Sequence, residues 1–358
     1  MNQKLRVGIV GCGEAAQILH IPALTDLSDL YQITALCDAS PTVLAGVGAK
    51  LPQARVHTDA AGLCADRQVD VVLVANPNLY HAETALLAMA AGKHVVIEKP
   101  MCISLAEADT LAEAELKHGV TVQVGYMRRH APAFEAARDL VAEMQGRITL
   151  ARVHDVIGPN SAFIDGITQV IRGNDIPQDV LDAARAEQAR RFMAAVGVSD
   201  GPKAAAYGLM LGLSSHDISA MRELLGMPQK VLYARADHGG MFITAAFDYG
   251  SFVCQFETGI DKVARFDAHL EVYATDKVVR VDYDTPYIRH QPARLTVTEP
   301  NTASGISVTQ SHSTRTDAFV IEWRRFHSDL HTGHKGKCTI ADARQDLEIF
   351  RDMMTVME

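Results

Sequence analysis

The feature that most limits what this chain can become is an alternation of short apolar runs with helical segments over its first third. Residues 5–10, LRVGIV, are rich in β-formers and lead straight into Gly11-Cys12-Gly13-Glu14-Ala15-Ala16, after which 17–24 reads as helix. A second run, YQITALCD (31–38), and a third, VDVVLVANP (69–77), follow. The third is nearly all apolar, as a parallel strand covered on both faces must be. Then come a helix over 81–91, the strand HVVIEKP (94–100), a helix over 104–117 and the strand TVQVGY (121–126). Strand and helix alternating in this way predict a doubly wound parallel sheet, an α/β Rossmann arrangement. With 358 residues the chain exceeds one comfortable core, so two domains are expected, 1–125 and 126–358.

Ligands of such sheets bind beyond the carboxyl ends of the strands, which directs attention to a few residues. Gly11 to Ala16 form G-x-G-x-x-A between a strand and a helix. Gly11 permits the tight turn, Gly13 lets a pyrophosphate approach the backbone, and the small Ala16 lets helix and strand pack closely. Glu14 and Ala15 complete this candidate cofactor turn. Asp38, ending the second strand, stands where a carboxylate binds the adenosine ribose hydroxyls. It would repel a 2′-phosphate, so NAD is expected over NADP; alternatively Asp38 only opens a turn with Ser40-Pro41. Asn76-Pro77 and Glu98-Lys99-Pro100 occupy two further strand ends. Lys99 there can stabilise a developing alkoxide or exchange a proton with it, with Pro100 holding the backbone through a cis bond. The alternative is a solvated Glu-Lys pair in a loop.

The second half has a different rhythm. A helix over 131–144 leads to the strand RITLARVHDVI, and later runs (KVLYARAD, MFITAAFDY, SFVCQFETG, FDAHLEVYAT, KVVRVDY, ARLTVTE, GISVTQS) carry β-formers between turn signals. Gly239-Gly240, Tyr249-Gly250-Ser251 and Asp276-Lys277 read as hairpin turns. An α+β domain with a large, mostly antiparallel open sheet is expected, one face solvated or covered by a partner. A helix over 209–226 sets Leu209, Leu213, His216, Ala220 and Leu224 on one side, where a lone histidine is usually a packed one. Asp175 with Pro177 can start a helix to Val196, with Leu181, Ala184, Phe192 and Val196 as its buried side. The stretch 158–206 reads as a lid, a subunit contact or a plain surface insertion. Tyr126 ends a strand and is followed by Arg128, Arg129 and His130, which either meet substrate hydroxyls or an anionic group, or form a basic helix entry on the surface.

VGIVGCGEAA, the NPNLYHAE loop (76–83), EKP at 98–100, QVGYMRRHAPAFE at 123–135 and the His-bearing helix resemble the Gfo/Idh/MocA oxidoreductases, the family of glucose-fructose oxidoreductase and inositol dehydrogenase. The resemblance implies a bound nicotinamide nucleotide, sugar or cyclitol chemistry, and self-association through the C-terminal sheet. It implies Lys99 as catalytic lysine and His216 as catalytic histidine, with Asn76, Pro77, Asn78, His81 and Glu98 on the cofactor side. Tyr126, Arg128, Arg129, Asp155, Lys99 and His216 are the substrate-side candidates. Two acids common in the family near this histidine are replaced by Gly212 and Ser219, so a carboxylate orienting His216 would come from elsewhere, with Asp217 and Asp155 as candidates.

The resemblance thus leads to an NAD-dependent dehydrogenase of a secondary hydroxyl. A redox-neutral glycosidase or epimerase using NAD transiently is the alternative, and a nucleotide- or sugar-sensing protein without turnover is the third reading. The formal charge of −9 argues against a nucleic-acid or anionic-membrane surface. No apolar run reaches spanning length, and the N-terminus enters a strand without a leader pattern, so a cytoplasmic protein is expected. Six scattered cysteines are read as reduced thiols. His327, His331, His334 and Cys338 have spacing that zinc could use, but they fall in a helix and polar turn whose counterparts in the family bind none; no metal is expected.

Overall fold

The computed structural model describes residues 4–312 and 315–358; the first three residues of the N-terminal stretch lie outside it. The chain divides into two compact units. The first holds Met1–Gly125, Ile167–Ser199 and Phe319–Leu347; the second holds Tyr126–Gly166, Asp200–Ala318 and Glu348–Glu358. Two stretches from the later chain therefore build part of the first unit.

The first unit alternates as the sequence requires: β1 (Leu5–Val10), α1 (Ile21–Asp26), β2 (Tyr31–Cys37), α2 (Pro41–Lys50), β3 (Arg55–His57), α3 (Ala60–Cys64), β4 (Val71–Val74), α4 (His81–Ala90), β5 (His94–Glu98), α5 (Leu105–His118) and β6 (Val122–Gly125). The six strands are parallel in the order β3-β2-β1-β4-β5-β6, so the order reverses between β1 and β4. Every residue of Val71–Val74 is fully buried, which is why the run needs no polar alternation. α5 shows how local chemistry sets an element's limits. Ser104 and Glu107 form a reciprocal capping box at its start, and Gly119, in the left-handed region at φ +63°, ends it.

In the second unit α6 (Pro132–Glu143), β7 (Ile148–Ile157) and α7 (Ser161–Ile164) come first. After α8 (Gln178–Val196), which belongs to the first unit, come α9 (Gly201–Leu209) and α10 (Ser215–Leu225). Next are β8 (Lys230–Asp237), β9 (Phe242–Asp248), β10 (Val253–Ile260), β11 (Phe266–Ala274), β12 (Val278–Tyr283), β13 (Arg294–Asn301) and β14 (Gly305–His312). The chain ends with α11 (Ala318–Thr332) and α12 (Ile340–Val356). The eight strands run β14-β13-β12-β11-β7-β10-β9-β8, antiparallel except for the β7–β10 pair. α6 and α10 cover one face.

Three local expectations change. The helix expected over 17–24 is a π-helical turn, Ala16–His20, running into α1. The helix expected over 209–226 is likewise divided by a π-helical turn, Met210–Ser214, and α10 is buried on nearly every side, so a one-faced reading does not apply. On α8 only Phe192 is fully buried; Leu181 is 37% exposed. Arginine and glutamate pairs, not an apolar stripe, fix much of that helix: Arg191 binds Glu187, Glu107 and the Leu79 carbonyl.

Candidate functional site

At the carboxyl edge of the six-stranded sheet, Gly11 has φ +94°, and a Cβ there would come within 2.3 Å of the Asn76 nitrogen. Glycine is thus required by the close approach of β1's exit to that of β4. A Cβ at Gly13 would meet nothing within 4 Å. The two glycines do different work: one lets the chain pack, the other leaves open room above the turn.

Asp38 binds this turn to its own. Its Oδ2 accepts the Cys12 N–H at 2.7 Å and its Oδ1 the Ser40 N–H at 2.8 Å, leaving further lone pairs on a half-buried carboxylate. The Ser40 contact makes Asp38 the opening of a turn, one of the two readings its sequence position allowed. Glu14 pairs with Arg172 at 2.6 Å, and Gln17 brackets Ile171, donating to its carbonyl and accepting from its N–H. Burial pushes the Cys12 thiol up to about 12, so the cysteine inside the turn is a small apolar residue, not a nucleophile.

Glu98 ends β5 with its carboxylate 2.7 Å from His20 Nε2, and His20 Nδ1 accepts the indole N–H of Trp323 at 3.0 Å. Indole is only a donor, so the neutral His20 ring must carry its proton on Nε2 and give it to Glu98. Burial alone would raise the Glu98 carboxyl; the His20 hydrogen bond and the charge of Lys99 outweigh it and hold the group below its ordinary range. Glu98 Oε2 also accepts the Lys99 N–H, and the Lys99–Pro100 bond is cis. Lys99 itself is half-buried.

His81 lies with both ring nitrogens at 2.7 Å from main-chain carbonyls, Nδ1 from Pro100 and Nε2 from Asn76. It fastens the exit of β4 to that of β5. A neutral ring has one N–H, so one of these contacts at a time is a hydrogen bond. Asn76 gives its amide to Thr84, while its shielded Oδ1 has no hydrogen-bond partner among the described residues. Pro77 is exposed and Asn78 half-buried at the start of the following 3₁₀ turn.

The second unit gathers a different set. Arg128, 4% exposed, lies 3.0 Å from Asp155 and 2.6 Å from Asp217, its guanidinium over the rings of Phe266 and Tyr283. Burial disfavours its charge, but the two carboxylates more than offset this and hold its pKa above the ordinary value. Asp155 and Asp217, the candidates for orienting His216, thus both bind Arg128. Asp155 Oδ1 is buried without a hydrogen-bond partner among the described residues. His216 sits in the first turn of α10, 8% exposed, beside Asp217 in sequence. Arg129 binds Glu223 at 2.5 Å and lies over the buried ring of Tyr126. Gly212 is exposed, and a Cβ there would meet nothing within 4 Å.

Among the described residues no group of three His, Cys, Asp or Glu is placed to hold a metal ion; the His327 and His331 rings stack at 4.1 Å, and Cys338 is buried. All six cysteines are buried and unbridged. No helix among the described residues is long and apolar enough to cross a membrane. Sequence reasoning missed His20, Trp323, Gln17 and Arg172, and the contact of Asp175 with Ser40 and Thr42. The only available signal was the single tryptophan, because their partners lie far away along the chain.

A family model described as an oxidoreductase family with an NAD-binding Rossmann fold matches residues 5–126. Over those residues the chain matches the Gfo/Idh/MocA oxidoreductase family. The matched stretch takes in β1 to β6 of the first unit. Inositol 2-dehydrogenase 2 of Saccharopolyspora erythraea is 38% identical over 170 residues, 45% of this chain and 50% of that protein. The oxidoreductase YrbE of Bacillus subtilis is 23% identical over 98% of this chain and 94% of its own length. The chain spans half or less of the first curated relatives it matches. In fold the likeness extends along the chain: the 3-ketoreductase KijD10 of Actinomadura kijaniata, solved with NADP and TDP-benzene, superposes with a TM-score of 0.76 at 19% identity over 99% of this chain and 98% of its own.

Open room above Gly13, Asp38 beside the turn and the unsatisfied Asn76 Oδ1 fit a dinucleotide. Gly11, Gly13, Ala15, Ala16 and Asp38 would hold its pyrophosphate and ribose, with Asn76 and Glu98 towards the nicotinamide.

Proposed function

We propose that this chain is a Gfo/Idh/MocA-type NAD-dependent dehydrogenase acting on a secondary hydroxyl of a sugar, cyclitol or sugar derivative. The observation that carries the reading is the alignment of three strand ends on one sheet edge: the open Gly13 turn after β1, Asp38 after β2 and Glu98-Lys99 after β5. The inositol 2-dehydrogenase named above supports the substrate class.

When bound, NAD supplies the hydride acceptor. The chain's own residues do the rest. Lys99, its backbone N–H held by Glu98, lowers the cost of negative charge on the substrate oxygen. His216 takes the hydroxyl proton as a general base. Arg128 pairs with Asp155 and Asp217, and Asp155 Oδ1 offers a buried acceptor to a substrate hydroxyl. Arg129, paired with Glu223 and lying over the Tyr126 ring, braces the same unit. Asp38 favours NAD over NADP, in contrast to the NADP that KijD10 was solved with. The face of the eight-stranded sheet opposite α6 and α10 is the proposed surface for self-association, to be checked by light scattering.

The decisive experiment incubates the purified protein with NAD and a panel of cyclitols, free sugars, sugar acids and glycosides. Reduced-cofactor absorbance and substrate consumption are followed together. Stoichiometric growth of NADH is expected with one class. Substrate loss that requires NAD yet accumulates no NADH would replace this reading with redox-neutral chemistry, and nucleotide binding without turnover of any compound would favour sensing.

A further inference from the structure

The chain between α7 and α8 crosses back over the cofactor turn and ends its crossing on the start of α2. Gln17 holds the Ile171 N–H and carbonyl at 2.9 Å each, and Arg172 reaches Glu14. Asp175 then places Oδ1 2.5 Å from Ser40 Oγ and accepts the Thr42 N–H on Oδ2 at 2.8 Å.

That contact uses up the first turn of α2. The Ser40 N–H goes to Asp38, Pro41 has none, the Thr42 N–H goes to Asp175, the Val43 N–H to Ser40 Oγ and the Leu44 N–H to the Ser40 carbonyl. A helix N-terminus two residues past Asp38 is where a phosphate on the 2′-oxygen of an Asp38-bound ribose would seek donors. Here a carboxylate of the chain already has them.

The crossing is fitted to its bed. A Cβ at Gly173 would come within 1.9 Å of Ser40 Oγ and 2.7 Å of Asp175 Oδ1, and one at Gly46 on α2 within 2.7 Å of Ile171 Cδ1. Two glycines on opposite sides of the contact thus give it room. Downstream, Arg191 on α8 anchors the segment to the Leu79 carbonyl and Glu107. The hydrogen bonds from Ser40 and Thr42 hold the Asp175 carboxyl down to about 2, so it is a carboxylate at neutral pH.

We propose that Asp175 is a cofactor-specificity residue: its carboxylate occupies the donors at the start of α2 that the 2′-phosphate of NADP would need, and with Asp38 it restricts the turn to a dinucleotide bearing a free 2′-hydroxyl. This rests on the dinucleotide reading of the Gly11–Ala16 turn and adds a residue from a distant segment to it.

The test is binding rather than turnover. Dissociation constants of NADH and NADPH are measured by nucleotide fluorescence for the wild-type chain, Asp175→Asn and Asp175→Ser, with 5′-AMP and 2′,5′-ADP as displacing fragments and circular dichroism as the check of folding. The wild type should prefer NADH. In the Ser variant NADPH and 2′,5′-ADP should gain about tenfold or more in affinity, with a smaller gain in the Asn variant, while NADH moves by less than about threefold. A wild-type preference for NADH with an unchanged NADH-to-NADPH ratio in both variants would overturn the Asp175 assignment alone. Equal weakening of both nucleotides would also overturn it, reducing the crossing to a structural brace. If the wild-type chain binds neither nucleotide, the dinucleotide reading itself falls with it.

Discussion

Trp323 donates its indole N–H to His20, and this one bond at 3.0 Å determines which proton His20 can offer Glu98. Trp323→Phe keeps the aromatic packing but leaves a buried ring nitrogen unsatisfied. Replacing the indole should cost about 1–3 kcal/mol, read from the urea midpoint. The Glu98 carboxyl should then titrate at higher pH, because its partner's tautomer is no longer fixed. An unchanged midpoint would mean that water or a ring flip satisfies His20 as well as Trp323 does.

Glu98 and His81 both make the protein sensitive to acid, in different windows. Their folded pKa values lie below the unfolded ones, Glu98 through partners that outweigh burial, His81 through burial that outweighs its carbonyl contacts. In each case the unfolded chain takes up the proton first, so the stability contributed is present above the unfolded pKa and lost as pH falls towards the folded one. For His81 the loss begins near the ordinary histidine value of about 6.5, for Glu98 near about 4.3. The unfolding free energy should decline from just below neutrality, and His81→Gln should flatten the upper part of that decline. A slope the substitution leaves untouched would assign it to another histidine.

The parallel sheet was readable because its strands are buried on both faces, so Val71–Val74 and Val95–Ile97 announce themselves as apolar runs. The hairpin turns at Gly239-Gly240 and Tyr249-Gly250-Ser251 were equally plain, since backbone chirality demands their residues. What stayed hidden depends on long-range pairing. No local pattern tells that Trp323 will meet His20 or that Asp175 will settle on Ser40. The π-helical turns interrupt helices whose side-chain spacing still looks helical. Arg128 was visible as a charge, but its commitment to Asp155 and Asp217 needed β7 and α10 to be placed in space.

That commitment gives a stability prediction. Arg128→Met leaves Asp155 and Asp217, both essentially inaccessible, without their shared cation, at a cost of about 3–5 kcal/mol. Adding Asp155→Asn and Asp217→Asn to Arg128→Met should recover part of the loss, because neutral amides tolerate burial better than unpaired charges. Denaturant titration of the single, double and triple variants gives the coupling. Full additivity would show that the three groups do not act as a unit.

Lys99→Ala separates catalysis from binding. Lys99 follows a strand end whose backbone Glu98 already fixes, so removing its side chain should leave NADH affinity within about threefold and lower kcat on the active substrate by about a hundredfold or more. Lys99→Arg keeps the charge but not the ammonium's compact geometry and should recover only a fraction. Undiminished turnover in the alanine variant would remove Lys99 from the chemistry.

Gly11 and Gly13, two residues apart, should fail in opposite ways. Gly11→Ala must move a Cβ away from the Asn76 nitrogen and abandon φ +94°, so it should cost folding stability, on the order of 2–4 kcal/mol. Gly13→Ala meets no atom within 4 Å and should melt as the wild type does. Its methyl group instead projects into the space left for the pyrophosphate, and NADH affinity should fall about tenfold or more. Melting temperature and nucleotide titration on the same two samples decide the matter. Equal nucleotide affinity in wild type and Gly13→Ala would mean that the open room above the turn is not where the dinucleotide lies.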